Sequence, residues 1–274
     1  MSTIFITGSS SGLGRATAKL FVSKGWKVIA SMRDPKREQE LSDISGITLM
    51  ALDVTDPHEI ESVAAQVVAS GGTDVVFNNA GYGLAGALEA LTDDQIMRLV
   101  NTNMLGTIRT TKAFIPHFRG KRAGLFINTT SLGGLVSFPF NSIYHATKWA
   151  IEGWSESMAF ELNQFGIGIK TVEPGGIRTD FFTRSFDTGR HPAYDPLVNR
   201  VMGMITDPKQ TATYSSPEQI AEVVYEAATD GKDQLRYIAG ADAKEIYAMR
   251  MQLGDEAFRK AIAQQFFGDS VKAA

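Results

Sequence analysis

The feature that most constrains this chain is a regular alternation of short apolar strands with longer amphipathic helices. The first strand is predicted at residues 3–7 and the first helix at 13–24, and the pattern then repeats to about residue 238. Because most of the strands are apolar on both faces, they suit a parallel sheet covered by helices on each side. The alternation therefore predicts a doubly wound α/β sheet of about seven strands.

Apolar spacing, turn residues and capping residues predict where the other elements lie. Further strands are predicted at 27–32, 47–52, 74–77, 124–128, 168–172 and 235–238. Further helices are predicted after Pro35 (short and polar), at 56–70, at 93–118 and from Tyr144 to about 165. Residues 1–274 contain no linker, so they are interpreted as one domain, with a substrate lid at about 181–215 and a helical extension at about 241–274.

Composition argues against several kinds of site and partner. The chain has no Cys and only four widely spaced His residues, so we expect no disulfide, no thiolate nucleophile and no metal site. A net charge of −3 without a basic run argues against nucleic acid and anionic membranes as partners. The chain enters a strand at once and has no apolar run of membrane-spanning length, so a cytoplasmic location is expected.

A glycine-rich loop, TGSSSGLG at residues 7–14, joins the first predicted strand to the first predicted helix. Glycines let a backbone turn tightly and approach a diphosphate, whose charge the N–H groups at a helix start stabilise. A plain Gly/Ser turn is the alternative, but the position of the loop favours a Rossmann-type dinucleotide site. Its predicted contacts are Gly8, Ser10, Ser11, Gly12, Leu13 and Gly14.

Tyr144 and Lys148 are four residues apart on a predicted helix. Residues with this spacing share one helix face, so the phenol and the ammonium can point into one pocket. A nearby cation favours the phenolate and would lower the Tyr pKa from its usual value of about 10. A Tyr tuned in this way can exchange a proton with an alcohol or carbonyl oxygen. The pair alone is a weak signal, since many helices carry it by chance.

Taken together, the motifs resemble the classical short-chain dehydrogenase/reductase family. The matching residues are TGxxxGxG at 7–14, Asn78-Asn79-Ala80-Gly81, Ser131, Tyr144-xxx-Lys148 and Pro174-Gly175, in the family's order and spacing. The resemblance covers roughly residues 2–240, and within the family it is greatest to the hydroxysteroid and retinol dehydrogenase branch. It implies an oxidoreductase that interconverts a secondary alcohol and a ketone or aldehyde with a nicotinamide cofactor.

Four residues are expected to be catalytic. Tyr144 would exchange a proton with the substrate oxygen, and Ser131, thirteen residues earlier, would hold that oxygen by a hydrogen bond. Lys148 would lower the pKa of Tyr144 and bind the nicotinamide ribose. By resemblance, Asn103 completes a proton relay through water to Lys148. The family's NxxG spacing selects Asn103 over Asn101, and a role in packing or in a helix kink is the alternative.

The end of the second strand decides between NAD and NADP. An acidic residue there binds the ribose 2′-OH, whereas an Arg accommodates a 2′-phosphate. By resemblance the acid of NAD enzymes falls at Met32, and Arg33 follows and can bind a phosphate bidentately. We therefore predict NADP, with Ser10 and Ser31 as additional donors. An Arg33 that pairs only with Asp34 or with solvent is the alternative.

The resemblance also assigns further contacts. Those to the cofactor are Asp53 and Val54 at the adenine, Asn79, Ala80 and Gly81 near the ribose, and Pro174, Gly175, Ile177 and Thr179 near the nicotinamide. Asn79 is expected mainly to brace the sheet. Expected substrate contacts are Leu132, Phe138, Gly176, Phe181 and Phe182, besides Ser131 and Tyr144. Aromatic and Met side chains in 181–215 favour a hydrophobic substrate, although they are equally compatible with packing inside the lid.

Three other functions stay open at this point. A non-catalytic NADP-binding sensor often lacks the Tyr or the Lys, and this chain retains both. An epimerase or dehydratase of the extended branch favours TGxxGxxG, and an NAD-linked polyol or sugar dehydrogenase is disfavoured by Met32 and Arg33. Members of the family commonly assemble through two long helices, here about 93–118 and 145–165, so a homodimer or homotetramer is expected.

Overall fold

The computed structural model of the 274-residue chain describes residues 1–179 and 186–268. The strands of the main sheet and of a small second sheet are, in chain order, β1 (Thr3–Thr7), β2 (Lys27–Met32), β3 (Ile47–Ala51), β4 (Val75–Asn78), β5 (Gly83–Ala85), β6 (Gly124–Thr129), β7 (Ile167–Pro174), β8 (Phe186–Thr188) and β9 (Arg236–Ala239). Seven of them form one parallel sheet in the order β3-β2-β1-β4-β6-β7-β9. The predicted doubly wound α/β fold is confirmed.

Helices cover both faces of this sheet. They are α1 (Gly12–Ser23), α2 (Pro57–Ala69), α3 (Asp93–Val100), α4 (Gly106–Lys121), α5 (Ser142–Leu162), α6 (Asp195–Ile205), α7 (Pro208–Thr211), α8 (Pro217–Thr229), α9 (Ala241–Leu253) and α10 (Asp255–Phe267). Successive strand residues point to opposite faces. Ile4 and Ile6 thus pack with α1 and α8, whereas Phe5 packs with α2, α4 and α5, its ring 5.1 Å from that of Phe114.

The strand order reverses between β1 and β4, which places the edge where a nucleotide binds in folds of this kind. Since all seven strands run parallel, the loops that follow β1, β4, β6 and β7 all emerge at this one edge. The glycine loop follows β1, and Ser131 follows β6 by two residues. The sheet topology therefore brings together motifs that are far apart in the sequence.

The predicted helix boundaries hold where local chemistry sets them. Asp56 caps α2 as predicted, accepting hydrogen bonds from the backbone N–H groups of His58 at 2.8 Å and Glu59 at 3.2 Å. Pro57 occupies the first helical position, where its missing N–H matters least. The short helix predicted after Pro35 is only a single 3₁₀ turn, Pro35–Arg37, because Asp34 caps Lys36 but the chain extends again at Glu38.

The long helix predicted at 93–118 is interrupted. The helices α3 and α4 are joined by a π-helical turn, Asn101–Leu105. On one side of this turn, the Thr102 hydroxyl donates to the Arg98 carbonyl at 2.9 Å. On the other side, the Asn103 side chain binds the backbone of Tyr82. These are tertiary and side-chain contacts, which explains why apolar spacing alone predicted one continuous helix.

The region predicted as a lid has regular structure in its described part. β8 pairs in parallel with β5 as a second, two-stranded sheet, and Asp187 on β8 accepts hydrogen bonds from Gln95 at 2.9 Å and Arg98 at 3.0 Å on α3. Further along, Val201 on α6 packs with Phe258 on α10. In the segment predicted as a helical extension, the described residues form α9 and α10.

A third hydrophobic cluster, here called the C-terminal cluster, joins α6, α9 and α10 to the segment that follows β6. Its buried members are Leu132, Val136, Val201, Ala243, Phe258, Ile262 and Phe266. Within the described residues, no helix is long and apolar enough to cross a membrane.

Candidate active site

The glycine loop lies directly against the segment that follows β4. Gly8 has a φ of +70°, and a Cβ there would lie 2.8 Å from the Cα of Ala80. A Cβ on Gly14 would lie 2.4 Å from the Gly8 carbonyl oxygen and 2.6 Å from the Asn79 side-chain nitrogen. Only glycine fits these two positions, so the loop keeps its backbone accessible to a ligand at the start of α1.

Asn79 fixes this arrangement through hydrogen bonds that its side chain and its backbone N–H donate. Its Nδ2 donates to the carbonyl oxygens of Thr7 and Gly8, each at 3.1 Å. The Thr7 hydroxyl in turn accepts from the backbone N–H groups of Asn79 at 3.0 Å and Ala80 at 3.1 Å. The bracing role predicted for Asn79 is therefore present, and the loops after β1 and β4 form one unit.

The start of α1 faces the loop that follows β7. Ser11 precedes the helix and, in the described part of the chain, its side chain forms no capping hydrogen bond to the first turn. A Cβ on Gly12 would lie 3.4 Å from Cγ2 of Thr179. The glycine loop and the loop after β7 thus come together at Gly12 and Thr179.

Arg33 stands exposed at the end of β2, after the buried Met32. It forms no ion pair within residues 1–179 and 186–268. Its neighbour Asp34 pairs instead with Arg37 at 3.2 Å and accepts from Lys36 N at 3.2 Å. The alternative in which Arg33 pairs with Asp34 is therefore not what the structure shows.

The hydroxyl of Ser31 was predicted to assist Arg33, and this prediction is wrong. Ser31 is buried, and its hydroxyl donates to the Ile6 carbonyl at 3.0 Å on the neighbouring strand. Ser10 by contrast is exposed in the glycine loop. Strand alternation explains the difference, because Ser31 points to the face opposite that of Ala30 and Met32, which pack with α1, and its hydroxyl is bound to β1.

Asp53 and Val54, predicted to contact the adenine, follow β3. The Asp53 Oδ1 accepts from the backbone N–H of Thr55 at 2.9 Å and from its hydroxyl at 2.7 Å. Val54 is buried next to Gly106, at which a Cβ would come 3.0 Å from the Val54 carbonyl oxygen. The turn at 53–55 is thus held both by its own side chains and by the start of α4.

Ser131, Tyr144 and Lys148 come together where β6 ends and α5 begins. The Ser131 hydroxyl is close enough to the Tyr144 phenol to favour its ionised form by hydrogen bonding. The Lys148 ammonium lies 5.7 Å from the centroid of the Tyr144 ring and donates to the Thr129 carbonyl at 2.9 Å. Ser131 also accepts from Gly133 N at 3.0 Å, which fixes its hydroxyl oxygen. Tyr144 and Lys148 thus share one face of α5, as their helical spacing predicted.

Burial governs the electrostatics of this group. It lowers the pKa of Lys148 to about 8, an effect that the charge of Glu152 opposes. It also raises the pKa of Tyr144, although the hydrogen bond from Ser131 acts in the opposite direction. We predicted that Lys148 would hold the Tyr144 pKa below its usual value, and in this structure desolvation of the phenolate raises that pKa instead.

Asn103 is buried in the π-helical turn. Its Oδ1 accepts from Tyr82 N at 3.0 Å and its Nδ2 donates to the Tyr82 carbonyl at 2.9 Å. The side chain thus ties this turn to the segment after β4. With both ends of the amide engaged, a relay from Asn103 to Lys148 would use the Asn103 backbone carbonyl, which accepts from the Thr107 hydroxyl at 3.2 Å.

His145 holds the segment that follows Ser131, as expected of a structural residue. The backbone N–H of Phe138 donates to its Nε2 at 2.9 Å, and its Nδ1 lies 2.7 Å from the Gly133 carbonyl oxygen. Because Nε2 accepts, the ring proton of the neutral imidazole is on Nδ1 and is donated to Gly133. Burial lowers the pKa of His145, which favours this neutral form.

The predicted substrate residues have different environments. Phe138 is half-buried and packs edge-on against Phe266 of α10, whereas the Leu132 side chain is buried in the C-terminal cluster. Phe181 and Phe182 lie outside the described residues. Near the start of α5 there is a cavity of about 550 Å³ whose lining is Gly86, Ala87, Leu88, Glu89, Phe140, Ser142 and Tyr194.

Three acidic residues beside the site were missed by the sequence analysis. Asp242 on α9 accepts from Gly176 N at 2.7 Å and so shapes the loop after β7. Glu152 is buried near Lys148, and Glu173 is buried beside Glu152. The one available signal was Glu173 itself, a charged residue in an otherwise mostly apolar predicted strand, since such residues are rarely buried without a reason.

Comparison with known proteins identifies the family of this chain. The profile described as short chain dehydrogenase matches residues 2–189. The chain belongs to the short-chain dehydrogenase family. An uncharacterized oxidoreductase of Schizosaccharomyces pombe is 38% identical to this short-chain dehydrogenase over 229 residues, which cover 83% of this chain and 96% of the relative. Human 17-beta-hydroxysteroid dehydrogenase type 1 is 31% identical over 287 residues, covering 98% of this chain and 87% of the relative.

Solved structures of this short-chain dehydrogenase family share the fold. A short-chain dehydrogenase from Streptomyces avermitilis superposes with a TM-score of 0.83 at 32% identity, covering 96% of this chain and 95% of the other. A Tyr-to-Phe variant of ElxO with NADPH bound gives a TM-score of 0.73 at 26% identity, covering 87% and 96%. This short-chain dehydrogenase is thus an oxidoreductase of a family that typically uses a nicotinamide cofactor.

The residues present fit such a cofactor. The glycine cradle, in which a Cβ at Gly14 would clash with backbone, suits the close approach of a diphosphate, and the uncapped start of α1 offers it N–H donors. Within residues 1–179 and 186–268, no group of three or more His, Asp or Glu side chains is arranged to hold a metal ion.

Proposed function

We propose that this short-chain dehydrogenase uses NADP(H) to interconvert a secondary alcohol and a ketone or aldehyde of hydrophobic character. One observation carries the proposal: the hydroxyls of Ser131 and Tyr144 are neighbours, and the Lys148 ammonium lies 5.7 Å from the Tyr144 ring, at the edge of the sheet where the glycine loop also ends. Two hydroxyl groups with a cation nearby can bind the oxygen of a carbonyl group and stabilise the charge that develops on it as it becomes an alcohol.

The roles follow from the charge that develops on that oxygen. The nicotinamide, when bound, supplies or accepts the hydride. Tyr144 gives its phenolic proton to the substrate oxygen in reduction and removes it in oxidation. Since burial raises the pKa of Tyr144, the phenol is protonated at neutral pH and ready to act as the acid. Ser131 holds the same oxygen by a hydrogen bond, with its own position fixed by Gly133 N.

Lys148 supports this chemistry through its positive charge, which lies near the phenol ring of Tyr144. Its ammonium is anchored on the Thr129 carbonyl and directed toward the Tyr144 ring. The positive charge stabilises the phenolate that forms when Tyr144 has given up its proton. A second ammonium hydrogen is available for the nicotinamide ribose. Asn103 takes part through its backbone carbonyl in a water-mediated relay to Lys148.

The preference for NADP is assigned to Arg33. Its side chain is exposed at the end of β2, without an ion pair in the described part of the chain, and Met32 beside it has no carboxylate to offer a ribose 2′-OH. A planar guanidinium binds a phosphate through two parallel hydrogen bonds. The related ElxO structure contains NADPH, which agrees with this choice.

The remaining cofactor contacts lie along the carboxyl edge of the sheet. In chain order they are Gly8, Ser10, Ser11, Gly12, Leu13, Gly14, Asp53, Val54, Asn79, Ala80, Gly81, Tyr144, Lys148, Pro174, Gly175, Ile177 and Thr179. Asn79 contributes mainly by bracing the glycine loop, because its amide nitrogen is already bound to Thr7 and Gly8.

The substrate is assigned a hydrophobic character from the walls near Tyr144. Phe138 and Phe140 precede α5 and pack on Phe266 and Phe267 of α10. The cavity beside the start of α5 is lined mainly by apolar groups. The relationship to a human hydroxysteroid dehydrogenase supports a bulky apolar ketone and the hydroxysteroid and retinol dehydrogenase branch.

We further assign a homodimer or homotetramer that is formed through α4 and α5. Trp149 and Phe160 lie eleven residues apart, on one stripe of α5, and are 43% and 74% exposed. Trp154 and Met158 pack instead against the buried cluster between α5 and the sheet. A cytoplasmic location stays a prediction.

The experiment that tests this function is a panel of ketones and aldehydes of increasing bulk, each assayed for oxidation of NADPH and of NADH. We expect turnover with NADPH that rises from small polar carbonyls to bulky apolar ones. A clear preference for NADH would overturn the cofactor assignment. Tight NADPH binding without oxidation of NADPH by any carbonyl, and without reduction of NADP by the matching alcohols, would favour a sensor over an enzyme.

A further inference from the structure

Two carboxyl groups are buried together beneath α5. Glu152 lies on α5, one turn after Lys148, and is 3% exposed. Glu173 is the penultimate residue of β7, just before Pro174, and is fully buried. The two side chains are within hydrogen-bonding reach of each other. Neither residue has a part in the proposed reaction as described above.

The hydrogen bonds available to this pair are incomplete. Glu152 Oε2 accepts from Arg236 Nε at 2.9 Å, and the other end of the Arg236 guanidinium binds Glu156 at 2.6 Å. Among the described residues, no donor is in hydrogen-bonding geometry with Glu152 Oε1 or with either oxygen of Glu173. The Thr171 hydroxyl is near enough to Glu173 to oppose the rise of its pKa, but it donates to the Leu235 carbonyl at 3.2 Å. Buried acceptors without donors, and two adjacent buried carboxylates, are both energetically costly.

A single proton resolves both difficulties. Placed on Glu173, it removes one of the two negative charges and supplies an O–H that can donate to Glu152 Oε1. The charges in the cluster then balance, because Glu152 and Glu156 are negative while Arg236 and Lys148 are positive. Burial raises the pKa of Glu173 to about 8, with the charge of Glu152 acting in the same direction.

The Glu152–Glu173 pair is linked to the candidate active site by packing contacts. A Cβ on Gly134 would lie 3.0 Å from Cγ of Glu152 and 3.1 Å from the Lys148 carbonyl oxygen, so the segment after Ser131 packs on both residues. Among the described residues, the charged groups around the pair come from two elements: Lys148 and Glu156 from α5, and Arg236 from β9. The segment Leu132–Gly134 brings no titratable side chain.

We propose that Glu152 and Glu173 share one proton, and that the single negative charge left on the pair keeps Lys148 protonated beneath Tyr144. Glu152 and Glu173 are therefore positioning residues that act through Lys148. The consequence for catalysis rests on the proposed function, whereas the shared proton does not depend on it. Burial alone would favour a neutral Lys148, and the charge of Glu152 opposes this change.

The test compares two isosteric variants of the full-length protein. Glu152→Gln removes the charge, whereas Glu173→Gln mimics the protonated acid, since its amide can donate to Glu152 Oε1. The titration of Lys148 is followed by NMR of ¹³C-labelled lysine side chains, with the signal assigned by its absence in Lys148→Arg. We expect Glu152→Gln to lower the Lys148 midpoint by about one pH unit or more. Glu173→Gln should leave the midpoint unchanged, and Glu152→Asp should restore most of the shift.

A second measurement does not need a variant of Glu152 to fold. In ¹³C-labelled glutamate spectra of the wild-type protein, one carboxyl signal should stay protonated at neutral pH and be absent in Glu173→Gln. An ionised Glu173 at neutral pH, or equal Lys148 shifts in Glu152→Gln and Glu173→Gln, would overturn the proposal.

Activity separates this proposal from the proposed function. In the NADPH-dependent reduction of a bulky ketone from the panel, the alkaline limb of kcat/KM should move to lower pH in Glu152→Gln and stay in place in Glu173→Gln. An alkaline limb that moves equally in both variants would contradict a role of the pair in charging Lys148. Absence of turnover in the wild-type protein, with the expected NMR titrations, would contradict the proposed function and leave the shared proton intact.

Discussion

The ammonium nitrogen of Lys148 lies 5.7 Å from the centroid of the Tyr144 ring while it donates a 2.9 Å hydrogen bond to the Thr129 carbonyl. Thr129, the last residue of β6, thus holds the Lys148 side chain of α5 close to the phenol ring. The position of the cation is set by the junction of sheet and helix and not by the flexible lysine side chain alone. This relationship gives the first prediction.

Replacing Lys148 by Arg should lower kcat by about 100-fold or more, because a larger, planar cation cannot make the same contact with Thr129 below the ring. The measurement is steady-state reduction of the best carbonyl from the panel with NADPH. Lys244→Arg, at an exposed position of α9, is the matched control and should behave as wild type. Full activity in the Lys148 variant would show that the anchored ammonium is dispensable.

Replacing Gly14 by Ala should abolish NADPH binding while the protein still folds. The new Cβ would lie 2.4 Å from the Gly8 carbonyl oxygen and 2.6 Å from Asn79 Nδ2, which forces the loop away from its brace. Titration of NADPH by fluorescence, with circular dichroism as a check on folding, measures the effect.

The control for that variant is Gly203→Ala on α6, where the new methyl group would have no atom of a packing neighbour within 4 Å among the described residues. It should bind NADPH normally and be slightly more stable, by about 0.5–1 kcal/mol, because Ala favours a helix over Gly. Normal NADPH affinity in Gly14→Ala would mean that the nucleotide does not bind at this loop.

Replacing Arg33 by Ala should weaken NADPH by about tenfold or more and leave NADH almost unchanged, since only NADPH carries the 2′-phosphate. The ratio of kcat/KM for the two cofactors reports the effect directly. Arg259→Ala, which removes a surface Arg paired with Glu256 on α10, serves as the control for loss of a positive charge. An unchanged cofactor ratio in Arg33→Ala would assign the specificity to another residue.

Replacing His145 by Gln should destabilise the protein at neutral pH by about 1–2 kcal/mol, because the bonds to Gly133 and Phe138 are lost or distorted. Burial lowers the pKa of His145, so the unfolded state binds more protons as the pH falls below about 6.5. The stability that His145 contributes to the wild-type protein is therefore present above that pH and is lost progressively in acid.

Urea unfolding at neutral and at mildly acidic pH measures this difference. The gap in free energy of unfolding between wild type and His145→Gln should narrow in acid. His58→Gln, at an exposed position in the first turn of α2, should show no such narrowing. A gap that stays constant with pH would mean that His145 does not remain neutral in the folded protein.

Sequence patterns predicted those parts of the molecule that local chemistry determines. The seven strands of the main sheet follow from apolar runs, the cap at Asp56 from its side chain, and the shared face of Tyr144 and Lys148 from helical spacing. The small sheet of β5 and β8 was missed because its strands have three residues each and pair across a hundred positions. The π-helical turn was missed because Asn103 meets Tyr82 only in the folded chain.

The electrostatics of the candidate site could not be derived from spacing. The pKa of Tyr144 is raised and not lowered, because the phenol is buried, and burial is a property of the folded protein that spacing does not reveal. Glu152 on α5 and Glu173 on β7 come together only in the folded chain. The one sequence feature that pointed to this contact was a charged residue, Glu173, in a mostly apolar strand. Ser31 was misplaced because the strand register turns its hydroxyl toward Ile6.

The central claim is that the Tyr144 phenol exchanges the proton of the reacting oxygen. It is tested most directly by measuring kcat and the NADPH dissociation constant of Tyr144→Phe side by side. We expect kcat to fall by about 1,000-fold or more while NADPH affinity stays within about twofold of wild type, because the phenol is needed for proton transfer and not for the diphosphate. Turnover close to that of the wild-type protein would contradict the assignment.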